Sequence, residues 1–92
     1  VIHGNAKIGD ECIIRQGVTI GNKSLDSPFD APVIGNYVSI GAGAKILGKV
    51  SIGHHASIGA NAVVTHDIPE YAVAVGIPAK VIKIKSEERI NE

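Results

Sequence analysis

Isoleucine and valine recur every six residues along most of the chain. One series begins at Ile2 and ends at Ile20, and a second begins at Ile34 and ends at Val64. Neither an α-helix, with about 3.6 residues per turn, nor a strand, with a period of two, produces this spacing. The period favours a solenoid of short strands with a turn in every repeat, in which three repeats close one triangular coil.

The repeat also predicts which side chains form the core. Each recurring Ile or Val points inward and stacks on its counterpart in the next coil, at a strand spacing of about 4.8 Å. The residue four positions later is small or medium-sized and also points inward, at Ala6, Cys12, Val18, Val38, Ala44, Val50, Ala56 and Ala62. Glycine follows the repeat residue at six positions, where we expect it to suit the turn backbone. Fifteen Ile and ten Val against two Leu favour strands over helices.

The composition excludes several classes of protein. Nine basic residues balance nine acidic ones, so the chain lacks the positive surface that nucleic acid or an anionic membrane requires. No apolar run approaches the roughly 20 residues of a membrane-spanning helix. Cys12 is the single cysteine, which excludes an internal disulfide and a cysteine-built zinc site, and we expect it in the core. The length of 92 residues allows one small domain.

The repeat is broken once, between Ile20 and Ile34. The two residues are fourteen positions apart, two more than two repeats, and the segment between them is polar with two prolines. We predict an inserted loop over 21–33 that projects from a corner and leaves the solenoid in register. An insertion of this kind is a common place for function.

The repeat is predicted to end after Val64. We therefore divide the chain into β-helix coils over 1–66 and a terminal coil with a C-terminal tail over 67–92. In the second part, residues 67–71 are expected to turn out of the coil. A strand over 72–76, a turn over 76–80 and an edge strand over 81–85 are expected to follow, and the tail from Ser86 forms a short helix or frays. Because the chain begins at Val1 in mid-pattern, we expect it to be a piece of a longer chain or a processed one.

Four segments carry a family resemblance, at 2–6, 16–21, 40–48, and 58–64 running on to 76–80. With them the chain resembles the hexapeptide-repeat acyltransferases, and most of all the serine acetyltransferase-like group. The resemblance implies an all-β fold, a left-handed parallel β-helix of about four coils with one inserted loop and a short tail. The handedness, and a homotrimer with active sites between neighbouring prisms, come from the resemblance alone.

The function that the resemblance implies is acetyl-CoA-dependent O-acetyl transfer. A neutral His would take the proton of a hydroxyl on a small acceptor such as a sugar, and the oxygen would attack the thioester directly. One alternative is serine O-acetyltransferase of cysteine biosynthesis, and another is a non-catalytic β-helix scaffold module. We expect a cytoplasmic protein, because of the acyl donor, the free thiol and the absence of a signal segment.

The resemblance assigns the catalytic base to His3, with a one-residue gap in the match. The other interpretation of His3 is an exposed turn residue, and the carboxylate that orients the base in the family lies upstream of Val1. We expect His54 and His55 to be solvent-exposed turn residues. We predict no metal site, because related zinc enzymes use three His and only this pair is close in the sequence.

The residues that would bind acetyl-CoA also follow from the resemblance. Ala42 and Ala60 would line the groove for the pantetheine arm, one coil apart on one face, although small residues recur here in any case. Further contacts would come from two lysines at the CoA phosphates and from two residues at the end of the repeat: Lys80, Lys83, Thr65 and His66. The other interpretation of the two lysines is a solvated basic tail. The other interpretation of the residues at the end of the repeat is the ordinary polarity of a turn.

The acceptor site departs from the serine acetyltransferase pattern. Where that group carries an Arg-His pair in the inserted loop, this chain has Asp30-Ala31. The residues that would hold an amino-acid carboxylate are therefore missing, which favours a sugar or another small hydroxyl compound. Asp26 and Asp30 either hydrogen-bond such an acceptor or solvate the loop.

Overall fold

A computed structural model describes residues 2, 4–22 and 30–85, and it contains strands and turns in these ranges. The first six strands are β1 (Lys7–Ile8), β2 (Ile13–Ile14), β3 (Thr19–Gly21), β4 (Val33–Ile34), β5 (Ser39–Ile40) and β6 (Lys45–Leu47). The remaining five are β7 (Ser51–Ile52), β8 (Ser57–Ile58), β9 (Val63–Val64), β10 (Ala72–Val75) and β11 (Lys80–Ile84). Within the described ranges, no helix is long and apolar enough to span a membrane.

The strands form three sheets, one on each face of a triangular prism. The first face is β1-β4-β7, the second is β2-β5-β8-β10 with β11 beside β10, and the third is β3-β6-β9. Pairing is parallel except between β10 and β11. Such a parallel β-helix needs no helical crossovers, because each short turn moves the chain to the next face rather than back across the same sheet.

Three columns of turns run along the edges of the prism. The first corner, between the first and second faces, contains the turns at 10–11, 36–37, 54–55 and 70–71. The second corner, between the second and third faces, contains those at 16–17, 42–43, 60–61 and 76–79. The third corner joins the third face back to the first, and the sequence between β3 and β4 contains the inserted segment.

The predicted core is confirmed by the strand register. Ile46 pairs with Ile20 on one side and Val64 on the other, and all three are fully buried. The inward positions four residues after the repeat residue are buried from Val18 onward, while Ala6 and Cys12 are half-buried and pack against the core. An inward Ile is worth about 1.5–3 kcal/mol when buried, so the stacked repeat positions supply most of the driving force for folding.

The inserted segment differs from the prediction in its limits. In the coil that contains the insertion, Ile8 pairs with Ile34 and Ile14 with Ile40. The next coil runs from Ile34 to its partner Ile52, and the coil with the insertion is eight residues longer. The insertion therefore adds to one repeat interval and does not replace two repeats. The ends of the predicted 21–33 loop belong to strands, because Gly21 pairs with Leu47 and Val33 with Ser51.

The coil also continues past the point where the sequence predicted its end. The expectation that residues 67–71 leave the coil is wrong, because Ile68 bridges to Ile52 and is 2% exposed. Ala74 then pairs with Ile58, so this coil is shorter than a full one by two residues. The edge strand is present as β11, all five of its residues being exposed. The predicted helix from Ser86 lies outside the described residues.

Several of the glycines that follow the repeat residues have a different reason from the predicted one. A Cβ on Gly41 would lie 2.5 Å from the backbone nitrogen of Ala60 in the next coil, so close approach of the coils requires glycine there. Positive φ occurs instead at other glycines, such as Gly43 at 73° within the turn at the second corner. The repeat thus uses glycine at one position for space and at another for backbone conformation.

Candidate functional site

The second corner presents a column of small residues. Ala42 and Ala60 occupy equivalent turn positions in successive coils, and the backbone N–H of Asn61 donates a hydrogen bond to the carbonyl oxygen of Ala42 over 2.9 Å. Ala60 is exposed and Ala42 is half-buried. Because their methyl groups cover little of the backbone, this corner can admit a narrow, flexible chain along the turns.

The turn at 76–79 extends this column beyond Ala60. The N–H of Val63 donates to the carbonyl oxygen of Gly76 over 3.0 Å, and the N–H of Ala79 donates to that of Val63 over 2.8 Å. These two bonds hold the turn against β9 and bury Ala79 completely. Lys80 follows directly, so the structure brings an exposed ammonium to the same corner as the two alanines.

Lys83 lies further along β11, where it pairs with Val73 of β10 and is exposed. Three residues of extended chain separate it from Lys80, which corresponds to about 10 Å. The two lysines can therefore contact groups at separate points along one elongated anion.

Thr65 and His66 lie at the other edge of the third face. They follow β9 and lead into the third corner, with Thr65 half-buried and His66 exposed. The carboxylate oxygen Oδ1 of Asp67 accepts a hydrogen bond from the backbone N–H of Ser51 over 2.8 Å, which fixes this turn against the preceding coil. The structure therefore places these two residues across the third face from Ala60. His3 lies outside the described residues.

One cation on the third face was not predicted as a site residue from the sequence. Lys45 is exposed in β6, between Thr19 and Val63 of the neighbouring strands, and therefore lies between the second and third corners. Its outward position follows from the alternation within the repeat, because Ile46 beside it is buried. That alternation is the signal that could have identified it.

The paired histidines occupy a turn at the first corner, as predicted, but only one of them is exposed. His54 Nδ1 accepts a hydrogen bond from the backbone N–H of Asn36 over 2.7 Å. His55 is half-buried between the rings of Tyr37 and Tyr71, so the prediction of full exposure is wrong for it. Across the part of the chain that the structure describes, no three His, Cys, Asp or Glu residues cluster as metal ligands would.

Comparison with known proteins extends this picture. Residues 31–66 match the family model described as bacterial transferase hexapeptide (six repeats). Serine acetyltransferase of Synechococcus elongatus is 46% identical over 82 residues, which cover 89% of this chain and 34% of that protein. The chain belongs to the hexapeptide-repeat family and is serine acetyltransferase-like. It spans about a third of the length of the curated relatives it matches.

Two solved structures share the fold of this hexapeptide-repeat chain. The serine acetyltransferase of Brucella abortus in complex with coenzyme A has a TM-score of 0.89 and 36% identity, with 94% of this chain and 34% of that one covered. The Neisseria gonorrhoeae enzyme in complex with serine has a TM-score of 0.79 and 42% identity, with 87% and 32% covered. The fold is the left-handed β-helix that the resemblance implied, and the family prediction is confirmed.

Proposed function

We propose that the protein is an acetyl-CoA-dependent serine O-acetyltransferase. The observation that carries the proposal is the similarity to serine acetyltransferases over 89% of the chain, through the same coils that bring Ala42, Ala60 and Lys80 to one corner. This similarity favours serine as the acceptor over the sugar expected from the sequence. We also propose a homotrimer in the cytoplasm, on the family resemblance.

Acetyl-CoA suits the second corner by shape and charge. The pantetheine arm is narrow, and the exposed methyl group of Ala60 leaves room beside the turn backbone. The phosphates are anionic, and the exposed ammonium groups of Lys80 and Lys83 lie along the strand that continues from this corner. Thr65 and His66 would contact the nucleotide end, as the resemblance implies.

The proposed chemistry is a direct acyl transfer. His3, neutral before reaction, takes the proton of the acceptor hydroxyl while its oxygen forms a bond to the thioester carbonyl carbon. Backbone N–H groups stabilise the oxyanion of the tetrahedral intermediate. When the carbon–sulfur bond breaks, the thiolate leaves and accepts the proton held by His3, which returns the base to its starting state.

One observation favours a second candidate acceptor. The inserted segment carries Asp30-Ala31 where the serine acetyltransferase pattern has an Arg-His pair, so no cation is present there to bind an amino-acid carboxylate. A neutral hydroxyl compound, such as a sugar, would not need that cation. The second candidate is therefore the same acyl transfer to a sugar hydroxyl.

The test measures binding and turnover with the full chain in its trimeric form. Calorimetry with acetyl-CoA should give saturable binding that Lys80→Ala weakens, whereas Lys7→Ala, which changes an exposed lysine of β1 on the first face, should leave it unchanged. Release of free thiol should then require L-serine, and His3→Ala should lower the rate by about 10²- to 10⁴-fold.

The other outcomes separate the alternatives. Turnover with sugar hydroxyls and none with L-serine would replace serine by the second candidate. A trimer that does not bind acetyl-CoA would contradict both enzymes and support the non-catalytic scaffold module.

A further inference from the structure

A groove of about 310 Å³ lies on the second face beside the first corner. Its lining mixes opposite charges with apolar and aromatic surface, and includes Glu11, Ile13, Tyr37, Ser39, His55 and Lys85. None of these residues belongs to the proposed acetyl-CoA site, which uses the second and third corners. The volume is at the lower end of the range for small-molecule sites.

One end of the groove is formed by the ammonium group of Lys85. Its Nζ donates a hydrogen bond to Ser57 Oγ over 3.0 Å, and the residue is half-buried because its side chain lies against the second face. An ammonium group has three N–H donors, so two are available for another acceptor. No carboxylate forms an ion pair with Lys85 among the residues that the structure describes. A partly desolvated cation that has no counter-ion among these described residues favours an anionic ligand.

The middle of the groove is apolar. Ile13 is 54% exposed on the outer surface of β2, and the ring of Tyr37 stands beside it at the next coil. One face of that ring stacks on His55, which leaves the opposite face directed toward the first coil. Methylene groups of a ligand can therefore pack against Ile13 and the ring.

The far end is formed by the carboxylate of Glu11. Glu11, Tyr37 and His55 occupy equivalent turn positions in consecutive coils, each with a positive φ. Glu11 is therefore two coils from the level of His55 and Ser57, which corresponds to about 10 Å along the prism. An acid at this end favours a cationic group and disfavours a second carboxylate.

We propose that this groove binds a linear zwitterion, an ω-amino acid whose carboxylate contacts Lys85 and whose ammonium group contacts Glu11. Its methylene chain packs against Ile13 and Tyr37. The two charges of such a ligand need to be about 5–8 Å apart, given the coil spacing and the reach of the two side chains. An α-amino acid, with its charges about 3 Å apart, cannot contact both ends.

The test uses δ-aminovalerate as the probe with the full chain. Tyr37 and Tyr71 are the only tyrosines, so their ring resonances in NMR spectra report the two ends of the aromatic stack separately. Saturable shifts should be larger for Tyr37 than for Tyr71. Lys85→Gln and Glu11→Gln should each weaken binding about tenfold, the effect of removing one charge-assisted contact, and Lys49→Gln should not.

Two isosteric probes make the test specific. Glutarate replaces the ammonium group by a carboxylate and cadaverine replaces the carboxylate by an amine, so each should bind about tenfold more weakly than δ-aminovalerate. Equal binding of the three, an unchanged affinity in Lys85→Gln, or no saturable shift with δ-aminovalerate would overturn the proposal. Acetyl-CoA binding in the same samples is a separate measurement, so failure here leaves the proposed transferase function unaffected.

Discussion

The imidazole ring of His55 stacks on the phenol ring of Tyr37, with centroids 4.9 Å apart and planes inclined by 4°. Tyr71 stacks on the other face of His55 at the same centroid distance and 9°. All three residues have left-handed φ values, between 60° and 63°. This conformation costs of order 1–3 kcal/mol for a residue other than glycine, and the stack offsets part of that cost because each aromatic pair contributes about 0.5–1.5 kcal/mol.

The central position of His55 predicts an order of effects. His55→Asn should lower the free energy of unfolding by about 1–3 kcal/mol, because two stacked contacts are lost while asparagine still tolerates the left-handed backbone. Tyr37→Asn removes one contact and should cost about half as much. Urea unfolding followed by circular dichroism measures both. Equal losses in the two variants would show that the stack does not contribute to stability.

A second prediction concerns His54, whose Nδ1 accepts the backbone N–H of Asn36. At the equivalent place one coil earlier, Asn36 Oδ1 accepts the N–H of Asp10 over 2.8 Å. An asparagine side chain can thus make this contact between coils. His54→Leu should destabilise the chain by about 1 kcal/mol because the N–H loses its acceptor, and His54→Asn should recover most of the loss. Matching unfolding midpoints for the leucine and asparagine variants would contradict this role.

The core could be predicted because residues close together in the sequence determine which side chains point inward. A six-residue repeat, with a branched residue at one position and a small one four later, determines which side chains point inward, and this holds for pairs such as Ile46 and Val50. The placement of Ala42 and Ala60 one coil apart on one side of the prism could be predicted for the same reason. Their common face follows from the coil length alone.

Features that depend on contacts between coils were not predictable in this way. The limits of the insertion were misjudged, because the pairing of Gly21 with Leu47 and of Val33 with Ser51 depends on the neighbouring coils. The stack of Tyr37, His55 and Tyr71 was missed, since Tyr71 follows His55 after a coil that is two residues shorter. Lys85 reaches Ser57 only because β11 folds back on β10, a reversal that the repeat does not encode.

A third prediction compares two glycines that both follow a buried Ile of the repeat. A Cβ on Gly41 would meet the backbone of Ala60 at 2.5 Å and 2.8 Å, and backbone cannot move aside as a flexible side chain can. Gly41→Ala should therefore lower the free energy of unfolding by about 1–3 kcal/mol. At Gly21 the added Cβ has no atom of the described residues within 4 Å, so Gly21→Ala should change the free energy of unfolding by at most about 0.5–1 kcal/mol. If the two variants unfold at the same denaturant concentration, close approach is not what requires glycine at Gly41.

The last prediction distinguishes a binding role of Ala60 from a purely structural one. The equivalent turn position in the first coil is Gln16, which is exposed, and its carbonyl oxygen accepts the N–H of Gly43 as that of Ala42 accepts the N–H of Asn61. The corner therefore accommodates a long side chain at this position. Ala60→Gln should leave the unfolding midpoint unchanged, because the added atoms extend into solvent.

If the pantetheine arm of acetyl-CoA lies along the second corner, Ala60→Gln should weaken binding by about tenfold or more. The glutamine side chain would occupy the space of the arm, and moving it aside would reduce the binding free energy. Calorimetry with acetyl-CoA measures the effect, and Gln16→Ala, at the equivalent position of the first coil, serves as the matched control. An unchanged affinity in Ala60→Gln would mean that acetyl-CoA, if it binds, does so elsewhere on the prism.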